Sequence, residues 1–301
     1  MSSEDPSLCM KLKGHKKPVT DIAFNPKSNE FASSSRDNSI MIWHGQQNMR
    51  SYNFTGHTAS VTSLEYSTNG KLLVSASDDH TVRVWVPTIK GGSAEFKPHM
   101  SAVKTVSFSP DSSKIITGSN DKSLKLWDTS TQRFIRSFVG HNNRVRCAKF
   151  SEDGKLLVSA ADDKTLRVWD PRTSQPVQVF TITKSSPVYL SMHQNSNTIA
   201  AAMDSGSVRL YDIKGKKLNQ HYTLHKETTC VHWHPEANYL ITSGSEGKLV
   251  ILDVMEGRPL YTLSGHTGEV NTVKFSGDGN YFASGGTDNL VLVWKTNFIS
   301  N

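Results

Sequence analysis

The chain has 301 residues, 34 Lys+Arg against 27 Asp+Glu, three Cys, and 36% hydrophobic and 20% charged residues, a composition able to bury a core. No apolar run approaches the roughly 18 residues of a membrane span, and Glu4 and Asp5 stand where a secretory leader would be basic and then apolar. Cys9, Cys147 and Cys230 lack the paired spacing of a disulfide framework or zinc cage, so the expectation is a reduced, intracellular chain with no metal, no cofactor and no membrane contact.

The first element, LCMKLKGH at residues 8–15, reads as a strand running into a Gly-His turn. Histidines return on one grid at His15, His57, His99, His141, His225 and His266, and Trp43, Trp85, Trp127 and Trp169 follow at a spacing of 42 residues, continued by Tyr211, Leu252 and Trp294. Asp37, Asp79, Asp121, Asp163 and Asp288 each precede the aromatic by six residues. A fixed period of this length means stacked repeats, and seven units fill the chain.

Within a unit the periodicity is that of strands. VRCAKF (145–150), KLLVSA (155–160) and TLRVW (165–169) are separated by Glu152-Asp153-Gly154 and Asp162-Asp163-Lys164, residues that make turns. Four short antiparallel strands per repeat of about 42 residues, with GH and WD signatures, make a β-propeller blade. The chain resembles the WD-repeat family throughout, which implies an all-β, seven-bladed WD-repeat β-propeller. The units run 14–55, 56–97, 98–139, 140–181, 182–223, 224–264 and 265–301. The last stops one strand short, at Trp294, and residues 8–13, which align with 134–139, supply the missing strand; residues 1–7 form a free end. A single propeller spans 8–301, closed by its N-terminal strand so that no sheet edge is left bare.

His15, Ser35 and Asp37 could be drawn as a hydrolase triad, but His57/Ser77/Asp79 and His99/Ser119/Asp121 repeat it, and an enzyme has no use for three identical nucleophiles. The WD-repeat resemblance implies a structural network instead, from the indoles of Trp43, Trp85 and Trp127 through hydroxyl and imidazole to carboxylate. By this register unit four lacks the hydroxyl at Ala161 and unit seven at Gly286; unit six offers Gly244, Glu246 and Leu252, and unit five has no network. Blades five and six are then the looser sector. His232 and His234 have no third ligand spaced for a metal, and no phosphate-binding or zincin motif occurs. The chain is read as no enzyme. Trp169-Asp170-Pro171-Arg172 matches the WDxR signature of cullin-RING substrate receptors, which gives an alternative function.

Charge is unevenly placed. Residues 98–223 carry a net +8, whereas residues 224–301 carry −3. Such a dipolar ring can steer a charged partner and favour self-association. The positions that the family resemblance assigns to the top rim include Arg36, Lys104, Asn120, Arg144 and Arg146, with Glu227 and Glu269 on the far side. No aromatic is interleaved with this basic arc as a stacking platform, so an acidic protein surface is expected as partner rather than nucleic acid.

The stretches RVRCAKFSEDGKLLVSAADDKTLRVWD, NYLITSGSEGKLVILDVMEGRPLYTLSGHTG and YFASGGTDNLVLVWKTNF resemble the proteome-of-centriole WD-repeat family across blades four, six and seven. That resemblance implies a cytoplasmic, cytoskeletal component of centrioles and cilium basal bodies. Such a component supports microtubule triplets and cilium biogenesis through contacts with tubulin or other centriolar proteins.

Overall fold

The computed structural model describes residues 5–45, 51–89, 91–236 and 238–297. Seven sheets of four antiparallel strands account for the regular structure of these residues. Their first, innermost strands are Val19–Phe24, Val61–Tyr66, Val103–Phe108, Val145–Phe150, Pro187–Met192, Thr228–Trp233 and Val270–Phe275. Six sheets take their strands in chain order. The seventh runs Val270–Phe275, Tyr281–Gly286, Leu290–Lys295 and then Ser7–Lys13, so the N-terminal strand closes the ring as the repeat arithmetic requires, but it begins at Ser7, within the end expected to be free, because Ser7 pairs with Lys295.

Burial explains the composition of each strand. The second strand of a blade is pressed by a neighbour on both faces. It is therefore built of small residues, as in Ala32, Ser33, Ser34 and Ser35 of blade one or Ala200, Ala201 and Ala202 of blade five, all without exposed surface. The outermost strands alternate, as in Lys217–Thr223, where only every second residue is half-buried. Apolar cores accordingly lie between blades. Leu124, Leu126 and Phe138 of blade three pack with Phe150, Leu157 and Trp169 of blade four, and Phe31 and Trp43 of blade one meet Ala283, Val291 and Val293 of blade seven. Each large side chain buried this way contributes about 1.5–3 kcal/mol.

One irregularity recurs in every blade. The ladder between first and second strands slips by one residue, with Val19 opposite Ser35 but Asp21 opposite Ser34, so Thr20 is left over as a bulge. The equivalent bulged residues are Thr62, Lys104, Arg146, Val188, Thr229 and Asn271. A bulge re-aims its side chain out of the ladder, and these seven side chains ring the end of the central channel where the Gly-His turns lie. Among the described residues no helix is long and apolar enough to cross a membrane.

Candidate interaction surface

The repeated His-Asp pairs form the networks expected, with one correction. The hydroxyl is two residues earlier than the repeat pattern suggested: it belongs to Ser33, Ser75 and Thr117, not to Ser35, Ser77 and Ser119. Trp43 Nε1 donates to Ser33 Oγ at 2.7 Å, Trp85 to Ser75 at 2.8 Å and Trp127 to Thr117 Oγ1 at 3.1 Å. These oxygens lie 2.7, 2.7 and 2.8 Å from Nε2 of His15, His57 and His99. Nδ1 of the same rings lies 3.3, 2.8 and 2.7 Å from Asp37, Asp79 and Asp121. The reason is the ladder: Trp43 sits opposite Phe31, so its indole reaches the next side chain on that face, Ser33. Ser35, Ser77 and Ser119 serve another purpose. They donate to the carbonyls of Lys17, Ala59 and Ala102 and accept from the amides of Asp37, Asp79 and Asp121, pinning the Gly-His turn to the acidic turn.

The corrected register completes two blades that the sequence left deficient. Ala161 and Gly286 fall at the pinning position, while Ser159 and Ser284 join Trp169 to His141 and Trp294 to His266. Blade six keeps three members, His225 with Thr242 at 2.8 Å and Glu246 at 2.5 Å. Blade five has Ala201 at the hydroxyl position and Tyr211 at the indole position.

In each complete chain the proton order follows from chemistry. The indole can only donate, so the hydroxyl accepts from it and gives its own proton to Nε2, and the Nδ1 proton goes to the carboxylate. A neutral ring suits this order at His15 and His141, which burial pushes below the usual histidine value, and burial does the same to His225 of blade six. Burial also works to raise Asp121, but the bonds from His99 and Ser123 outweigh it and hold that carboxyl low, at about 2. Ser33, Ser75 and Thr117 have no exposed surface. No substrate can reach these oxygens as nucleophiles.

The rim residues expected to bind a partner lie at or beside the bulges. In four blades the bulged residue ties its blade to the next: Thr20 donates to Val61 O at 2.6 Å, Thr62 to Val103 O at 2.7 Å, Thr229 to Val270 O, and Asn271 to Val19 O at 2.6 Å. Three consecutive blades, three to five, put Lys104, Arg146 and Val188 there instead. Lys104 turns to Asp78 of blade two at 2.5 Å, and Arg146 Nε to Asp162 at 2.6 Å. Arg36 and Arg144 are exposed and Asn120 is half-buried. The basic arc is thus partly neutralised by acids the sequence reading did not pair with it. The signal available was that Asp78 and Asp162 immediately precede turn aspartates on the same rim. Arg172 of the WDxR stretch is folded onto its own Asp170, through Nε at 3.1 Å and Nη2 at 2.9 Å.

Seven four-stranded sheets in a ring, an N-terminal strand closing the last, and a Trp–hydroxyl–His–carboxylate chain in most blades define a WD-repeat β-propeller, a class that works through protein–protein contacts. The model described as WD domain, G-beta repeat matches residues 6–44 and 257–295, and that described as IFT122 first beta-propeller matches residues 48–258. The chain belongs to this family of WD-repeat propellers. POC1 centriolar protein homolog A of Xenopus tropicalis is 47% identical over 51 residues, 17% of this chain and 12% of the relative. Human serine-threonine kinase receptor-associated protein is 38% identical over 63 residues, 21% of this chain and 18% of the relative. Human cilia- and flagella-associated protein 52 is 38% identical over 69 residues, 23% of this chain and 11% of the relative. Each match spans less than a fifth of the relative's length.

Proposed function

We propose that the chain is a non-catalytic scaffold of centrioles and basal bodies that docks acidic protein surfaces on its bulge rim and so supports microtubule triplets and cilium assembly. The observation that carries the centriolar part is the 47% identity to POC1 centriolar protein homolog A, in the company of the IFT122 propeller family and a cilia- and flagella-associated protein. The docking part rests on the side chains of blades three and four. There the rim carries Lys104, Arg144 and Arg146 at positions where blades one and two have Thr or small residues, and arginine forks suit carboxylates. Centriolar proteins or tubulin, rather than nucleic acid, are the partners of this reading. A fluorescently tagged chain expressed in ciliated cells is expected as paired puncta coincident with a centriole marker. Diffuse or nuclear signal would overturn the reading.

A further inference from the structure

Two side-chain contacts cross the central channel instead of following its wall. Successive inner strands repeat every 41 or 42 residues, so partners separated by 84 and 85 residues stand two blades apart. Lys149 of blade four reaches Glu65 of blade two. Lys274 of blade seven reaches the Tyr189 hydroxyl of blade five, and its ammonium lies 4.1 Å from the centre of that ring. Both lysines line a cavity of about 410 Å³ at the channel end opposite the bulge rim, together with Glu65, Ser107, Ser191 and His232.

The cavity's two lysines and two carboxylates, Glu65 and Glu152, balance in number but not in position, since no ion pair is made to Lys274 among the described residues. Glu65 is the counter-ion of Lys149, and its other oxygen already accepts the Ser107 hydroxyl and the Phe108 amide, each at 2.8 Å. Asp21, the buried acid of the layer above, is taken up by the amides of Ile22 and Leu64 and the hydroxyl of Thr272 at 2.9, 3.0 and 3.1 Å, and holds three blades together. Glu152 stands exposed on the cavity's outer lip. Lys274 is only 8% exposed, and among the described residues its polar contact is a neutral phenol. A buried ammonium without a carboxylate is costly. His232 registers both ammonium groups: burial first, then Lys274 and Lys149, push its pKa well below the usual value. Its Nδ1 accepts the Phe275 amide at 3.3 Å, which leaves the Nε2 proton as a donor. Ser191 Oγ accepts the Trp233 amide at 3.2 Å, which leaves its hydroxyl proton as another.

We propose that this end of the channel is a binding site for a small organic oxyanion, whose phosphate or carboxylate head group supplies the missing counter-charge of Lys274 and accepts from His232 Nε2 and the Ser191 hydroxyl. The cavity falls within the range of small-ligand pockets, roughly 300–1,000 Å³. Its walls include Phe108, Phe150 and Met192, which suits a ligand with an organic body behind the head group.

The test is thermal melting of the full chain against inorganic phosphate, glycerol 3-phosphate and succinate, each compared with chloride at equal ionic strength. A saturable rise of several degrees at millimolar concentration is expected with at least one probe. A response to glycerol phosphate alone assigns a phosphate ester, and a response to succinate alone a carboxylate. Lys274→Met should abolish the saturable part, Lys274→Arg should retain it, and Lys155→Met, at an exposed lysine elsewhere, should leave it unchanged. Ser191→Ala is the milder variant should the first not fold, and should weaken the half-saturating concentration several-fold. No saturable response in the natural chain, or a half-saturating concentration in both Lys274→Met and Ser191→Ala equal to that of the natural chain, would overturn the proposal.

Discussion

The Ser75 hydroxyl accepts the indole proton of Trp85 at 2.8 Å and lies 2.7 Å from His57 Nε2, so one oxygen satisfies two buried rings, one from the neighbouring strand and one from the Gly-His turn. Ser77, on the same face of the same strand, joins a turn carbonyl and a turn amide instead. Removing the first hydroxyl strands two buried polar groups, each worth about 1–3 kcal/mol when unpaired. Ser75→Ala should therefore lose roughly 2–3 kcal/mol in urea unfolding and Ser77→Ala about 1 kcal/mol. Equal losses would show that the indole chain does not run through Ser75.

This pair also marks how far the sequence could be read. The 42-residue grid of Trp and His carried the blade number, and the alignment of residues 8–15 with 134–141 carried ring closure, because both depend only on spacing along the chain. The choice between Ser75 and Ser77 did not follow, since residues two apart in a strand face the same way and share every periodicity. Cross-strand register decides it, and Trp85 opposite Leu73 sets that register. The partners of Lys104 and Arg146 were hidden for a related reason. Asp78 lies 26 residues away on another blade, and a bulge rather than the regular pleat aims both bases at the rim. The chords Lys149–Glu65 and Lys274–Tyr189 join blades that are not neighbours, so no within-repeat spacing announces them.

Ring closure can be tested by truncation. The strand Ser7–Lys13 pairs with Leu290–Lys295 from Ser7 opposite Lys295 to Lys13 opposite Leu290, and its Met10 and Leu12 pack on the core shared by blades one and seven. Deleting residues 1–13 bares a strand edge and an apolar face, which invites pairing between chains. Aggregation on expression, or a fall in melting temperature on the order of 10 °C, is expected. A monodisperse truncated chain with unchanged melting temperature would contradict this.

Blade five should open first. It lacks the Trp–hydroxyl–His chain and also has Val188 where four blades tie themselves to the next, so it is the one blade deprived of both devices among the described residues. Blade six, by contrast, retains His225, Thr242 and Glu246. Amide exchange in Thr198–Met203 and Ser207–Asp212 should outpace that in Leu73–Ser77 and Val82–Trp85, with blade six between them. Protection that is uniform around the ring would remove the basis for this ranking.

The networks also fix the response to pH. Burial holds His15, His141 and His225 below their unfolded value of 6.5, so the unfolded chain binds protons there before the folded one does. Their contribution is complete above about pH 6.5 and is lost as the pH falls below it. Asp121, held at about 2 against 3.8 when unfolded, adds a second loss between those two values. Urea midpoints should be flat from pH 8 to 7, decline below about 6.5 and fall faster below about 4. Stability that rises between pH 7 and 5.5 would mean that the imidazoles are charged in the fold.

The rim makes a sharper prediction about binding than a simple count of bases. Arg146 is engaged by Asp162 at 2.6 Å, so a partner carboxylate must share it, whereas Arg144 is exposed and has no ion pair among the described residues. If this arc docks an acidic partner such as a tubulin tail, Arg144→Glu should weaken co-sedimentation with microtubules by about tenfold, on the order of 1.4 kcal/mol. Arg146→Glu should cost less, and Asp162→Asn should strengthen binding, because it releases Arg146. Rim charges act over long range, so the natural interaction should also weaken as salt shortens the screening length below about 8 Å. Glu269→Lys, at the position of blade seven equivalent to Arg144, is the control and should leave binding unharmed. Should the Arg144→Glu/Arg146→Glu double variant co-sediment like the natural chain at every salt concentration, the contact must lie elsewhere. The first place to look would then be the apolar outer strands of blades three and four, where Phe134, Val139 and Val177 are 55%, 71% and 60% exposed.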